Sequence, residues 1–283
     1  MRQPRIFLTG VGAQKAGTTW LANYMRRHPD IFMSPIKEMH FWDTKFYEGD
    51  EAPFDWRFRV RVAELHLRQE AGVELAKQTK IRLENLTERV AIGVDTDAYF
   101  AFFARRAGSK EVWAEFTPSY SMLDHNAFAA MAGISQQTQF VFLMRNPADR
   151  YWSHVRYVTQ ERPEIDCISE FNAGFKLPEY RLRSDYTRTI QELLVAVPRA
   201  NIFFEFQEYL FQEASIRRFC DFLSVRYFAP NFMPKKETTV KLAMSDDMRF
   251  RVYREFAHVY RFVEEFSGGG IPQSWRDDVR RYG

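Results

Sequence analysis

The chain has 283 residues, 46% of them hydrophobic and 27% charged, with 40 Lys and Arg against 37 Asp and Glu. That length buries a large core and admits one domain or two. A net charge of +3 excludes a protein built to coat nucleic acid, but leaves room for a local basic pocket around one small polyanion.

Residues 5–9 read as a strand, and residues 17–28 as a helix with Trp20, Leu21, Tyr24 and Met25 on one face. His28-Pro29 ends that helix, because the residue before proline avoids the helical region. Ile31-Phe32-Met33 is a short second strand. Residues 58–90 alternate charged and apolar positions at helical spacing, which predicts a charged, solvent-facing helical pair. Another helix is expected from Asp97 to Arg106, then a strand over Val112–Phe116 that stops at Thr117-Pro118. Residues 139–144 form the clearest strand, short, apolar and bounded by polar residues. Asn146 is a good N-cap for the helix that follows, and Pro147 suits its first turn. Helices are expected near 187–197, 213–223 and 245–266, with a strand over 201–206. Gly268-Gly269-Gly270 reads as a flexible break inside one domain.

Strands that alternate with helices imply an α/β fold with a central parallel sheet covered on both faces. Ligands of such sheets sit at the carboxyl ends of the strands, and the unusual motifs fall there. The 16% aromatic content predicts an aromatic-rich core, with rings at a substrate cleft as the other use. Cys167 and Cys220 have no ligand spacing and are expected to be reduced and buried, without disulfide or zinc. No apolar run is long enough to span a membrane, and a strand beginning by Arg5 leaves no room for a signal peptide. A cytoplasmic location is therefore expected.

The first motif is "GAQKAGTT", Gly12 to Thr19, between a strand and a helix. Its backbone N–H groups and the positive end of the helix would hold an anion. A Walker A loop places its lysine directly after the second glycine; here Thr18 stands there and Lys15 lies inside the loop. A lysine so placed would meet a departing atom rather than the end of a triphosphate. The second motif, "IKEMHFWD", crowds Lys37, Glu38, His40 and Asp43 beside Phe41 and Trp42. Either Glu38 or His40 could serve there as a general base. In the third, "RNPADRYWS", Arg145 at a strand end and Ser153 about two turns along the next helix could share a second phosphate. The fourth, "PKKETTVK", is a short basic segment that contains Lys235 and Lys236.

Together these residues resemble the sulfotransferase superfamily, which uses 3′-phosphoadenosine 5′-phosphosulfate (PAPS). The resemblance is closest to its bacterial and carbohydrate, heparan-sulfate-sulfotransferase-like, branch. "GAQKAGTTWL" fits that family's first loop and "RNPADRYWS" its second element. "KEMHFW" and "EFTPSY" (Glu115 to Tyr120) fit segments of the carbohydrate branch. The resemblance spans residues 5–245 and implies a P-loop-like single domain over 1–283, with the largely helical 44–111 region shaping the acceptor site.

It also implies a division of labour. Gly12, Ala13, Gln14, Lys15, Ala16, Gly17, Thr18, Thr19 and Trp20 would hold the 5′-phosphosulfate, and Arg145 and Ser153 the 3′-phosphate, with Lys235 and Lys236 nearby. Lys15 would neutralise charge on the bridging oxygen, and Glu38, supported or replaced by His40, would take the acceptor's proton. Lys37, Trp42, Asp43, Thr117 and Tyr120 would line the acceptor side. The chemistry implied is in-line transfer of a sulfuryl group to a hydroxyl or amine of a carbohydrate, glycolipid or small natural product, leaving PAP. The strand before Arg145 lacks a Walker B acid and a sulfuryl group carries less charge than a terminal phosphoryl group, so no metal is expected. The other readings are a P-loop nucleoside or sugar kinase, or a nucleotide-binding homologue without turnover. Two departures stand out: "FQEYL" replaces the family's Y-E-D-L-like turn, and "KKETT" lacks the late loop's usual glycine.

Overall fold

The computed structural model describes residues 2–46, 55–230 and 242–283. Five strands, β1 (Ile6–Gly12), β2 (Ile31–Met33), β3 (Val112–Phe116), β4 (Thr138–Met144) and β5 (Ile202–Phe206), form an all-parallel sheet in the order β2-β3-β1-β4-β5. Every residue of β1, β3 and β4 is buried, on both faces. That is why these segments read as continuous apolar runs rather than as alternating ones.

The helices follow in chain order. α1 (Thr18–Arg27) links β1 to β2, and the short α2 (Trp42–Lys45) follows β2. The charged pair is α3 (Asp55–Glu70) and α4 (Lys77–Ile92), followed by α5 (Thr96–Ala104) before β3. A 3-10 turn (Pro118–Met122) and α6 (His125–Ala132) lead to β4. Then come α7 (Pro147–Glu161), α8 (Cys167–Gly174), α9 (Pro178–Leu182) and α10 (Tyr186–Ala196) before β5. α11 (Gln207–Leu210), α12 (Glu213–Phe222), α13 (Asp246–Phe266) and α14 (Gln273–Tyr282) complete the described chain.

The expected strands are all present, with β1 running three residues further than anticipated, to Gly12. α2, α6, α8, α9, α11 and α14 were not anticipated; most are short and lack a clear apolar period. The three glycines at 268–270 form a hydrogen-bonded turn that folds α14 back. Among the described residues both cysteines are free; Cys220 is buried as expected, whereas Cys167, at the start of α8, is only half-buried. No described helix is long and apolar enough to cross a membrane.

The core is aromatic, as the composition suggested. Phe41 stacks on Tyr99 with ring centroids 4.2 Å apart, and Phe7 meets Phe103 edge-on at 5.0 Å. The chain leaves β1 toward β2 on one side and leaves β4 toward β5 on the other, so the topological switch point lies between β1 and β4. The loop after β1 and Arg145 after β4 flank that crevice.

The sheet also fixes a glycine. Gly10 pairs in register with Phe116, and a Cβ on Gly10 would lie 2.3 Å from the Phe116 ring. Gly10→Ala is expected to destabilise the protein by about 1–3 kcal/mol, the cost of overpacking a close-packed interior, seen as a lower denaturation midpoint. An unchanged midpoint would mean that the ring can turn aside.

Candidate functional site

The loop after β1, the turn after β2 and Arg145 after β4 all follow carboxyl ends of strands of the sheet. Gly17 caps α1 in a left-handed conformation, φ 87°, and a Cβ there would come within 2.9 Å of Leu210 Cδ2. Glycine is needed at this position for both reasons. No side chain caps α1 and its first turn holds no acidic residue. By contrast, Asp95, Asp124, Asn146, Asp166, Asp185 and Ser245 cap α5, α6, α7, α8, α10 and α13. The N–H groups of Gln14, Gly17, Thr18 and Thr19 donate to no acceptor among the described residues, and the Gln14 Oε1 is buried without a partner there. These groups form an open anion cradle.

The cradle is narrower than the sequence suggested. Ala13 N–H donates to Leu143 O at 2.7 Å and Ala16 N–H to Ala13 O at 3.2 Å, so neither is left for an anion. Gly12 serves by being small: a Cβ would lie 2.9 Å from Ser121 Cβ. Trp20 is almost buried, parallel to Tyr24 and edge-on to Phe211. Lys15 projects over the α7 ring of Tyr157, Nζ 4.7 Å from its centroid. Across the switch point, Arg145 Nη1 donates to Lys15 O at 3.1 Å. Ser153 lies on α7, buried. Lys235 and Lys236 lie outside the described residues.

Beyond β2, Glu38 and His40 both take left-handed conformations, φ 59° and 48°. Such backbone costs about 1–3 kcal/mol per non-glycine residue and needs support from its surroundings. The support is dense. Arg89 of α4, wholly buried, donates through Nε to Met39 O and through Nη2 to His40 O, each at 2.6 Å. Thr44 Oγ1 donates to His40 O at 2.5 Å. Tyr120 Oη accepts from Phe41 N–H at 3.0 Å and Trp42 N–H at 3.3 Å, and itself donates to the buried Glu115 at 2.9 Å. Thr117 Oγ1 also donates to Glu115, at 2.8 Å.

The side chains at the turn form a chain of charge. Asp43 Oδ2 accepts from His40 Nδ1 and from Ser119 Oγ, both at 2.6 Å, and His40 Nε2 faces Glu38 Oε2 at 3.6 Å. Burial works against the His40 imidazolium, but contact with Asp43 and Glu38 outweighs it and lifts the pKa to about 9. Burial likewise raises the Glu38 pKa, yet His40, Lys37 and Arg183 hold it below the usual carboxylate range.

Four assignments change. Trp42, Thr117 and Tyr120 are at most 1% exposed, so in this structure they line no open acceptor surface. They brace the turn instead, and Asp43, 2% exposed, orients His40. Lys37 stays exposed, 3.7 Å from Glu38. Sequence reading missed Arg89, because one arginine among many in a charged helix carries no local signal. It also missed Ser119 and Arg183. Glu115, by contrast, was visible as the first residue of "EFTPSY". Among the described residues no group of three or more His, Cys, Asp or Glu side chains could hold a metal ion.

Residues 4–229 match the family model described as "Sulfotransferase family". The chain belongs to the sulfotransferase family. Its structure is similar to that of a sulfotransferase from Alicyclobacillus acidocaldarius, with a TM-score of 0.63 at 20% identity, covering 98% of this chain and 100% of that one. The sulfotransferase domain of the Curacin biosynthetic pathway gives a TM-score of 0.49 at 12% identity, covering 91% of this chain and 98% of that one. That of the Synechococcus PCC 7002 olefin synthase gives 0.47 at 16%, covering 91% and 96%. Only the first is near enough to speak for the fold. The chain has no significant relative among curated proteins.

In this sulfotransferase-family protein the hydrogen bonds of Arg89 go to main-chain carbonyls, Met39 O, His40 O and Gly93 O, so it holds the turn that carries Glu38 and His40. Arg89→Ala leaves two interior carbonyls without this donor, at about 1–3 kcal/mol each. Turnover is expected to fall further than nucleotide affinity, with Arg89→Lys recovering part of it. Full turnover per folded molecule in Arg89→Ala would reduce Arg89 to a stability element.

Proposed function

We propose that the protein transfers a sulfuryl group from PAPS to a hydroxyl, or an amine, of a carbohydrate, glycolipid or small natural-product acceptor. The observation that carries this reading is the uncapped N-terminus of α1, with Lys15 in its loop and Arg145 closing on that loop from the next strand. An open row of N–H groups suits a sulfated or phosphorylated ligand. A lysine inside the loop suits charge on a bridging oxygen.

Gln14, Gly17, Thr18 and Thr19 would bind the 5′-phosphosulfate through backbone and hydroxyl donors, and Arg145 with Ser153 the 3′-phosphate. When bound, PAPS supplies the activated sulfuryl group. Lys15 stabilises the charge that develops as its bond to phosphate lengthens. The choice of base follows from protonation. With a pKa lifted to about 9, His40 is an imidazolium at neutral pH and cannot accept the proton. Glu38 is ionised there and 34% exposed, so it can. His40, anchored by Asp43, orients the Glu38 carboxylate. The remaining catalytic effect comes from positioning the two reactants.

The donor is tested by calorimetric titration with PAP and with its 3′-dephospho analogue. PAP is expected to bind more tightly, and Arg145→Ala to erase most of that preference. Equal binding of both nucleotides by the unaltered protein would sink the PAPS reading, and tighter binding of ATP would favour the kinase one.

The base assignment is tested by pH–rate profiles against an acceptor found by screening. Glu38→Gln is expected to lower turnover by about 10²–10⁴-fold while PAP affinity persists. In the unaltered protein the rate should fall on the acid side as Glu38 protonates, below the usual carboxylate range, and on the alkaline side as His40 loses its proton near about 9. The sign for stability agrees. His40's pKa is raised on folding, so its contribution is complete below its ordinary 6.5 and is lost as pH rises through about 9. An alkaline limb that survives His40→Gln would belong to another group.

A further inference from the structure

Lys15 is held at both ends. Its backbone takes a left-handed conformation, φ 68°, and Arg145 Nη1 donates to its carbonyl at 3.1 Å. Its ammonium lies over the ring of Tyr157, with Nζ 4.7 Å from the centroid. The first hold comes from the end of β4 and the second from α7, which begins at Pro147. Tyr157 stands one turn beyond Ser153 on α7 and therefore on the same side of that helix. Ser153 is buried, whereas Tyr157 is 43% exposed. The proposed 3′-phosphate contact and the ring that carries Lys15 thus share one face of one helix.

The ring sits on a fixed mount. The α7 cap, Asn146, is bonded to Asp278, Arg150 Nε donates to Ser184 Oγ at 2.6 Å, and Tyr151 Oη donates to Phe171 O at 2.9 Å. His154 flanks Tyr157, ring centroids 6.5 Å apart, and is itself set edge-on to Tyr180 at 4.4 Å. Burial, with the charges of Arg150, Arg183 and Lys15, lowers the His154 pKa to about 2. It is neutral at pH 7 and brings no second charge to the ring.

The chemistry explains why an aromatic ring suits this place. A lysine stem is flexible, and an ammonium left in water spreads over many rotamers. A carboxylate would also hold it, but would neutralise the charge that a departing oxygen needs. An aromatic face attracts the cation through its quadrupole. It occupies no lone-pair partner and leaves N–H donors of the ammonium for another acceptor. The ring fixes the position and keeps the charge.

We propose that Tyr157 is the positioning residue for Lys15: its ring face poises the ammonium beside the anion cradle before the donor binds. The proposal rests on the sulfotransferase reading above and gives α7 a second task in it, beside the 3′-phosphate contact.

The test compares Tyr157→Phe, which keeps a ring face, with Tyr157→Leu, which removes it at a part-exposed position. In unliganded protein carrying ¹³C-lysine, the Lys15 ε-CH₂ signal is identified by its loss in Lys15→Ala. It is expected upfield of the other lysines, to stay there in Tyr157→Phe and to join them in Tyr157→Leu. With PAPS and an acceptor found by screening, Tyr157→Leu is expected to lower kcat about three- to thirty-fold. Tyr157→Phe should stay within about two-fold of the unaltered protein. PAP affinity should be unchanged in both variants, which also reports that they fold. In a Lys15→Ala background, Tyr157→Leu should cost nothing further, because the two act as one unit. An unshifted Lys15 signal in the unaltered protein, full turnover in Tyr157→Leu, or an equal loss in the Lys15→Ala background overturns the proposal. Unaltered turnover in Lys15→Ala alone would instead count against the role given to the lysine in the sulfotransferase reading.

Discussion

Glu115, next to the last residue of β3, has no exposed surface, and three hydroxyls, from Tyr99, Thr117 and Tyr120, donate to it. A carboxyl in the interior must have its oxygens filled, so α5 and the turn after β3 have to converge on it. Burial raises its pKa even against those three donors. Each hydroxyl has one proton to give. Once it goes to Glu115, the lone pairs of Tyr120 and Thr117 are left to accept, and they accept from backbone N–H groups of residues 40–42. One buried carboxyl thus fixes the hydrogen-bond direction through two side chains and, through them, the turn that presents Glu38 and His40.

The strained backbone of the molecule has a matching support. Four non-glycine residues among those described have positive φ, and three of them are Lys15, Glu38 and His40. An arginine reaches each strained loop and donates to a carbonyl of it. Arg145 donates to Lys15 O, and Arg89 to Met39 O and His40 O. Hydrogen bonds from a charged donor are roughly twice as strong as neutral ones. The arginines therefore do more here than supply charge. They hold the proposed chemical groups in conformations that their own residue types disfavour.

The sequence made the sheet legible, because strands buried on both faces leave unbroken apolar runs such as "QFVFLM". The α7 cap was equally plain: Asn146 Oδ1 accepts from Ala148 and Asp149 N–H, as Asn-Pro predicts. What ties that cap down was not. Asn146 Nδ2 donates to the buried Asp278 at 2.7 Å, and Arg249 clamps Asp278 from α13. These partners lie more than a hundred residues on, in a segment without a motif, so no local pattern announces them. The aromatic and polar residues of "FWD" and "TPSY" show the opposite failure. Their types suggest binding, whereas burial turns them into braces, and burial is a tertiary property that composition does not carry. Arg89 and Arg183 illustrate the same limit, since an arginine in a charged run looks solvated until the fold covers it.

The charged helical pair shows why that limit matters for function. At its far end α3 and α4 enclose a small core of their own, Leu65, Leu75 and Leu83 with Val62. At its near end Leu86 and Ile92 join the main core, and Arg89 lies between them on α4, bonded to the Glu38–His40 turn. Phe58 of α3 also approaches His40, with ring centroids 6.1 Å apart. The pair is thus docked through the same residues that hold the proposed base. Its outer faces contribute to neither core, whereas its inner edge holds the turn that carries Glu38. Arg89 therefore stands on α4 at the boundary between the pair's own core and the turn that carries Glu38.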